Sequence, residues 1–110
     1  MDYVVGDVVF VNFPKTDMSE TQDRTVLLVA KVFGDDVVAC MITKTKSQFD
    51  TCIPLSKGDL KEGSLTYNPS YVRPVRLVTL DARIIRRRAG RVTDEFLDNV
   101  LAELRKKFTR

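Results

Sequence analysis

At 110 residues, with 44% hydrophobic and 30% charged side chains, the chain has the size and balance of one folded domain, and residues 1–110 are expected to form a single unit. It has no histidine and only two cysteines, which excludes histidine-based triads, histidine–metal chemistry and a disulfide framework. The net charge of +3 is uneven: residues 1–72 carry 7 basic and 10 acidic side chains, residues 73–110 carry 11 and 5, and this asymmetry permits a nucleic-acid partner without requiring one.

The first residues place Asp2 and Asp7 where a secretory leader would be basic, and the apolar run Val8-Val9-Phe10-Val11 is far too short to cross a bilayer. The expected location is therefore the cytoplasm. Residues 7–13 (DVVFVNF) are β-branched and aromatic and stop at Pro14, as a strand does. Residues 14–24 are polar and read as a long connection, of the kind that carries function on small scaffolds. Residues 25–33 (TVLLVAKVF) form a second expected strand, Gly34-Asp35 a turn, and residues 36–43 (DVVACMIT) the returning strand of a hairpin.

A basic polar stretch follows at 44–49, then a short strand at 50–55 and a turn-rich loop at 56–64, with 65–67 a candidate extended segment. Residues 73–80 (RPVRLVTL) alternate as a strand, with Pro74 pointing to an edge or strand start. Residues 81–88 suit a helical or 3₁₀ turn, and Gly90 reads as a break. The terminal helix is clearer. Thr93 is its N-cap, Asp94 and Glu95 sit at the positive end of the dipole, and Phe96, Leu97, Val100, Leu101, Leu104 and Phe108 fall on one stripe. Five or more short strands and one amphipathic helix describe a mainly β fold, a small barrel with a packed C-terminal helix. A chain this short buries about two-thirds of its unfolded surface, so an oligomer interface would add stability. Cys40 and Cys52 lie in apolar runs and read as buried reduced thiols.

No phosphate-cradling glycine loop is present, since Gly6, Gly34, Gly58, Gly63 and Gly90 are isolated. What remains is arginine, lysine, hydroxyls and carboxylates, an inventory suited to stabilising charge on a reacting phosphate. RNA supplies its own nucleophile, the 2′-OH, so no protein nucleophile, metal or cofactor is required. Arg24 stands ahead of a strongly apolar strand and reads either as a phosphate-binding fork or as a rim arginine paired with Asp23 or Glu20. Thr43 closes the third strand, and a hairpin would bring it to the same open end as Arg24. Lys44, Lys46 and Gln48 follow it as candidate RNA contacts, or simply as solvated side chains. Tyr71, Arg73 and Arg76 combine an aromatic ring with guanidinium groups, as in surfaces that stack on unpaired bases and hold their backbone, though outward cations on a strand are an equal reading. The run Arg83, Arg86, Arg87, Arg88, Arg91 reads first as a solvated face.

The order of these segments resembles a known family. Gly6-Asp7-Val8-Val9 leading to Asn12-Phe13-Pro14, then Ser19-Glu20 and Arg24, is similar to the opening of MazF/PemK toxins. The strand end Met41-Ile42-Thr43, then Ser70-Tyr71-Val72-Arg73, Val78-Thr79-Leu80-Asp81, Gly90 and the terminal helix continue the resemblance through nearly the whole chain. The resemblance implies an SH3-like barrel, a homodimer, and metal-independent cleavage of single-stranded RNA (mRNA) at short sequences, leaving a 2′,3′-cyclic phosphate and a 5′-hydroxyl. It also implies a cognate antitoxin, expected to be an acidic segment laid over the basic face. Arg24 matches the family's catalytic arginine, Thr43 its catalytic threonine, and Glu20 a functional acid of some members. A guanidinium stays protonated and is a poor base, so the base is open, with Glu20 or Asp17 able to serve. The sequence departs from the family pattern in carrying Thr25 after Arg24 where proline is usual, and in having Tyr71-Val72-Arg73 at the site of an Arg-x-Asp. Two alternatives share the fold: a CcdB-like gyrase-binding toxin, which the basic ending Lys106-Lys107-Phe108-Thr109-Arg110 disfavours, and a non-catalytic RNA-binding regulator.

Overall fold

The β-branched runs do form strands. The computed structural model describes residues 3–14, 21–48 and 51–110, with backbone alone at Pro14 and Thr21. In chain order the strands are β1 (Asp7–Pro14), β2 (Thr21–Lys31), β3 (Asp36–Thr43), β4 (Ile53–Leu55), β5 (Leu60–Gly63), β6 (Ser70–Asp81) and β7 (Ile85–Val92), followed by α1 (Asp94–Lys107). All pair antiparallel in one sheet of order β4-β6-β3-β2-β1-β7-β5. The fold is thus mainly β with a C-terminal helix, as expected. It is a half-barrel, because no ladder joins the outer strands β4 and β5 among the described residues.

Period-2 alternation along the central strands sends neighbouring side chains to opposite faces and builds two apolar clusters. Val8, Leu27, Cys40 and Ile42 join Leu55, Val72 and the helix residues Phe96 and Val100 on one face, where Leu97, Leu101 and Leu104 pack against them. Val9, Val11, Val26, Leu28 and Ala39 meet Leu80, Ile85 and Tyr3 on the other. The helix is capped as the sequence implies: the Thr93 side chain accepts a hydrogen bond from the Phe96 N–H. Phe108 departs from the expected stripe. It lies past the last helical residue and is largely exposed. No helix among the described residues is long and apolar enough to cross a membrane.

Several boundaries differ from the sequence reading. β2 begins at Thr21, so Arg24 lies inside a strand rather than at a loop junction. The ladder with β1, which pairs Pro14 with Thr21 and Asn12 with Asp23, extends this polar stretch by backbone bonding that side-chain polarity does not reveal. Of the expected strand at 50–55, Ile53–Leu55 forms, residues 51–52 do not join it, and Asp50 lies outside the described residues. An extended segment forms at Leu60–Gly63 instead of at 65–67. The largest revision is β7. Only Ala82–Ile84 forms a 3₁₀ turn, and the arginine-rich residues after it are a full strand beside β1.

Gly90 does not break the chain but sits within β7, opposite Gly63 of β5. A Cβ there would lie 2.6 Å from the Glu62 carbonyl oxygen, and Gly63 has φ +90°, so both glycines serve the close approach of the two strands. Both cysteines are free thiols, Cys40 buried and Cys52 half-buried. Burial alone pushes the Cys40 thiol up to about 12, which leaves it unreactive.

Candidate active site

The strand ends carry the chemistry. Antiparallel pairing of β2 with β3 sets Thr25 against Ile42, which brings Arg24 and Thr43 together at one end of the hairpin. On the other side, Asp23 pairs with Asn12 and Arg24 with Val11 of β1. Between these strand ends, β7 and the segment leading into β6 lies a cavity of about 730 Å³, whose wall includes Arg24, Thr43, Lys44, Tyr67, Arg86 and Arg87. Among the described residues, Asp23 is the only carboxylate in that wall.

Irregular pairing in β7 arranges its cations. Phe10 pairs with Arg87 and Val11 with Ile85, so Arg86 is the extra residue of a bulge. A bulge re-aims the side chain it inserts, and here two consecutive arginines reach the same cavity. The Arg87 guanidinium lies 4.4 Å from the Phe10 ring centroid, a stacking contact that orients its charge. Lys44 lies 5.3 Å from the centroid of the half-exposed Tyr67 ring.

Arg86 is held differently. Its Nη1 donates to both carboxylate oxygens of Asp23, at 2.9 and 3.0 Å. Asn12 Nδ2 donates to the same carboxylate at 2.8 Å. These two donors, Arg86 first, hold the Asp23 carboxyl below its ordinary range. Asp23, one of the two expected alternative partners for Arg24, is therefore engaged with another arginine. The Thr43 hydroxyl donates to the Thr45 carbonyl oxygen at 2.7 Å, which fixes it at the cavity rim.

Of the site residues expected from sequence, Arg24, Thr43 and Lys44 meet in this wall. Lys46 and Gln48 are exposed beyond it. Tyr71 pairs with Thr43 and Arg73 with Met41 in the β3–β6 ladder, and Arg76 falls in the irregular stretch that follows; none of the three lines the cavity. Glu20 and Asp17 lie outside the described residues. Sequence reasoning missed Phe10, Tyr67 and Asn12, and read Arg86 and Arg87 as a solvated face. The one available signal was Arg86-Arg87 next to the strand-forming Ile84-Ile85. Among the described residues no group of three or more Cys, Asp or Glu side chains is placed to hold a metal ion.

Comparison with known proteins agrees with this architecture. Among curated proteins none matches the chain. In solved structures, an endoribonuclease in complex with its cognate antitoxin from a mycobacterial species is similar over 96% of this chain and 93% of its own, with 18% identity and a TM-score of 0.73. A chain of a MazE–MazF crystal structure from Deinococcus radiodurans is similar over 96% of both chains, with 19% identity and a TM-score of 0.75. The Mycobacterium tuberculosis toxin MazF-mt6 is similar over 89% of this chain and 90% of its own, with 19% identity and a TM-score of 0.63. At these identities the likeness establishes the fold. Residues 5–108 match the PemK-like, MazF-like toxins of type II toxin–antitoxin systems, and the chain belongs to that family.

Proposed function

We propose that this chain is a sequence-specific, metal-independent endoribonuclease toxin that cleaves single-stranded RNA and is neutralised by an acidic antitoxin. The observation that carries the reading is the meeting of Arg24 and Thr43 in one basic cavity wall with Lys44 and Arg87, in a chain of this family. The substrate's 2′-oxygen attacks the adjacent phosphorus, a new P–O2′ bond forms, and the P–O5′ bond breaks. The products are a 2′,3′-cyclic phosphate and a 5′-hydroxyl.

Negative charge grows on the non-bridging oxygens during this displacement, and fixed cations that stabilise it lower the barrier. Arg24 takes that role, with Lys44 and Arg87 raising the local positive potential. The Thr43 hydroxyl orients the scissile phosphate. To donate to a phosphate oxygen it turns away from the Thr45 carbonyl, a single-bond rotation on an exposed rim. The 2′-OH proton leaves to a base, and the 5′-oxygen takes up a proton as it departs. In the free protein Asp23 is poorly suited as that base, because Arg86 and Asn12 favour its ionised form. Glu20 or Asp17 is the better candidate.

The active form is a homodimer acting in the cytoplasm, with residues 1–110 as one functional unit. An acidic antitoxin segment fits the same basic cavity by charge, competing with RNA for Arg24, Lys44 and Arg87.

The test compares purified wild type with Arg24→Ala and Thr43→Ala on a long single-stranded RNA in EDTA, mapping fragment ends. Discrete cuts with 5′-hydroxyl ends are expected, with cleavage reduced about 10²- to 10³-fold in Arg24→Ala. Arg24 is exposed, so its removal should leave the melting temperature near wild type. RNA left intact by the wild type would overturn the enzymatic reading.

A further inference from the structure

The four cations of the cavity wall are not equivalent. Among the described residues, Arg86 alone of Arg24, Lys44, Arg86 and Arg87 forms an ion pair, and its partner Asp23 is the one carboxylate of the wall. The contact is a fork: one guanidinium nitrogen serves both oxygens of a planar anion, while Asn12 steadies that anion from the neighbouring strand. Two geminal oxygens bearing one negative charge are also what a phosphodiester offers through its non-bridging oxygens. Both side chains are 59% exposed, so an incoming phosphate reaches them without any rearrangement of the backbone.

We infer that Arg86 is a further RNA-phosphate ligand and that Asp23 occupies it in the free protein, to be exchanged for a substrate phosphate when RNA enters. This rests on the RNA reading above. Three features support it over an ordinary surface ion pair. Arg86 is the inserted residue of a bulge, a distortion that turns it toward the cavity rather than along the strand. Asp23 immediately precedes Arg24, so the exchange takes place one residue from the proposed centre of charge stabilisation. Asn12 offers Asp23 a second donor, which keeps the displaced carboxylate hydrogen-bonded after Arg86 has moved to phosphate.

The arrangement has a consequence for recognition. An exposed ion pair contributes little to stability, so breaking it costs little, yet it lowers the free cavity's positive charge by one. Mobile anions gain less from the cavity than a polyanion that engages Arg24, Lys44 and Arg87 together. The device favours extended RNA over small anions.

The test uses the intact protein and a mixed-sequence RNA oligonucleotide with methylated 2′-hydroxyls, which binds without being cut. Asp23→Asn should bind it about threefold more tightly than wild type near 0.1 M salt, with the log–log salt slope little changed, because Arg86 contacts a phosphate in both complexes. Asp35→Asn, the same charge change on the distant hairpin turn, should leave both unchanged. In wild type, the carboxyl ¹³C signal of Asp23 and the guanidinium ¹⁵N signals of Arg86 should move together on titration with this RNA, at the midpoint of binding. Saturated binding with both signals in place overturns the exchange, as does an Asp23→Asn variant that binds no more tightly. In those outcomes Arg24-dependent cutting persists and the nuclease reading stands; wild type that neither binds nor cuts RNA overturns both.

Discussion

Two aspartates of the β1–β2 region face arginines of β7, and they have opposite uses. Asp7 is fully buried, and its carboxylate accepts from the Val4 N–H at 3.0 Å and from Arg91 Nε at 2.8 Å, with Arg88 Nη1 3.6 Å away. Asp23 meets Arg86 in the open, more than half exposed. A carboxylate without water must keep its partners, because an uncompensated buried charge costs several kcal/mol. A carboxylate in water exchanges partners at little cost. Burial, not the identity of the pair, decides that the first contact ties β1 to β7 and the second is free to serve a ligand.

The sharpest way to break this comparison is Asp7→Ala. It strands Arg91 beside a buried void and leaves Arg88 with Glu62 alone, and the loss should be about 3 kcal/mol, the low end for a buried pair because both arginines keep some exposure. Urea denaturation reads it directly. A loss no greater than that of Asp23→Asn would mean that burial does not separate the two sites.

Gly90→Ala tests the same end of β7 with a smaller effect. The added Cβ would meet the Glu62 carbonyl oxygen at 2.6 Å, forcing β5 away from β7 and loosening the 2.5 Å contact between Arg88 and Glu62. About 1.5 kcal/mol should be lost, within the usual cost of overpacking, and amide exchange should accelerate in β5 before the central strands.

These two sites also mark what was legible beforehand. β1, β3 and α1 could be read because each shows its pattern plainly: a β-branched run ending at Pro14, an apolar run at 37–42 after the Gly34-Asp35 turn, and an apolar stripe behind a Thr93 cap. The hairpin register then delivered Arg24 and Thr43 to one place with no knowledge of the rest. β7 was hidden because Arg86, Arg87 and Arg88 obscure the alternation, and because Gly90, locally a breaker, is required by a strand 27 residues away in sequence at Gly63. Arg86 was out of reach for a related reason. A bulge depends on how two strands pair, so the side chain it redirects carries no local signature. Tyr67 lies in a connection whose path is set by the strands around it. The partnership of Asp23 with Arg86 rather than Arg24 likewise follows from pairing across 63 residues.

Asp81 provides an intermediate case and the smallest expected effect. It accepts from the Arg83 backbone N–H at 2.9 Å and from that residue's guanidinium, with Nη2 at 2.6 Å, while remaining one-third exposed. The Arg83 side chain, then its backbone N–H, pull the Asp81 carboxyl down to about 2 from 3.8. A depressed pKa means that the folded state favours the ionised form, so the stabilisation is complete above the ordinary value and disappears as pH falls through the folded one. Wild type should therefore melt slightly above Asp81→Asn at pH 7, and the two curves should converge as the pH approaches 2. Because the pair is solvated, the gap at neutral pH should shrink in high salt, whereas the Asp7→Ala deficit should persist. A gap at Asp81 that survived both acid and salt would assign its effect to the turn's hydrogen bonds rather than to charge. That result would place the dividing line between the two kinds of aspartate in hydrogen-bond geometry as well as in burial.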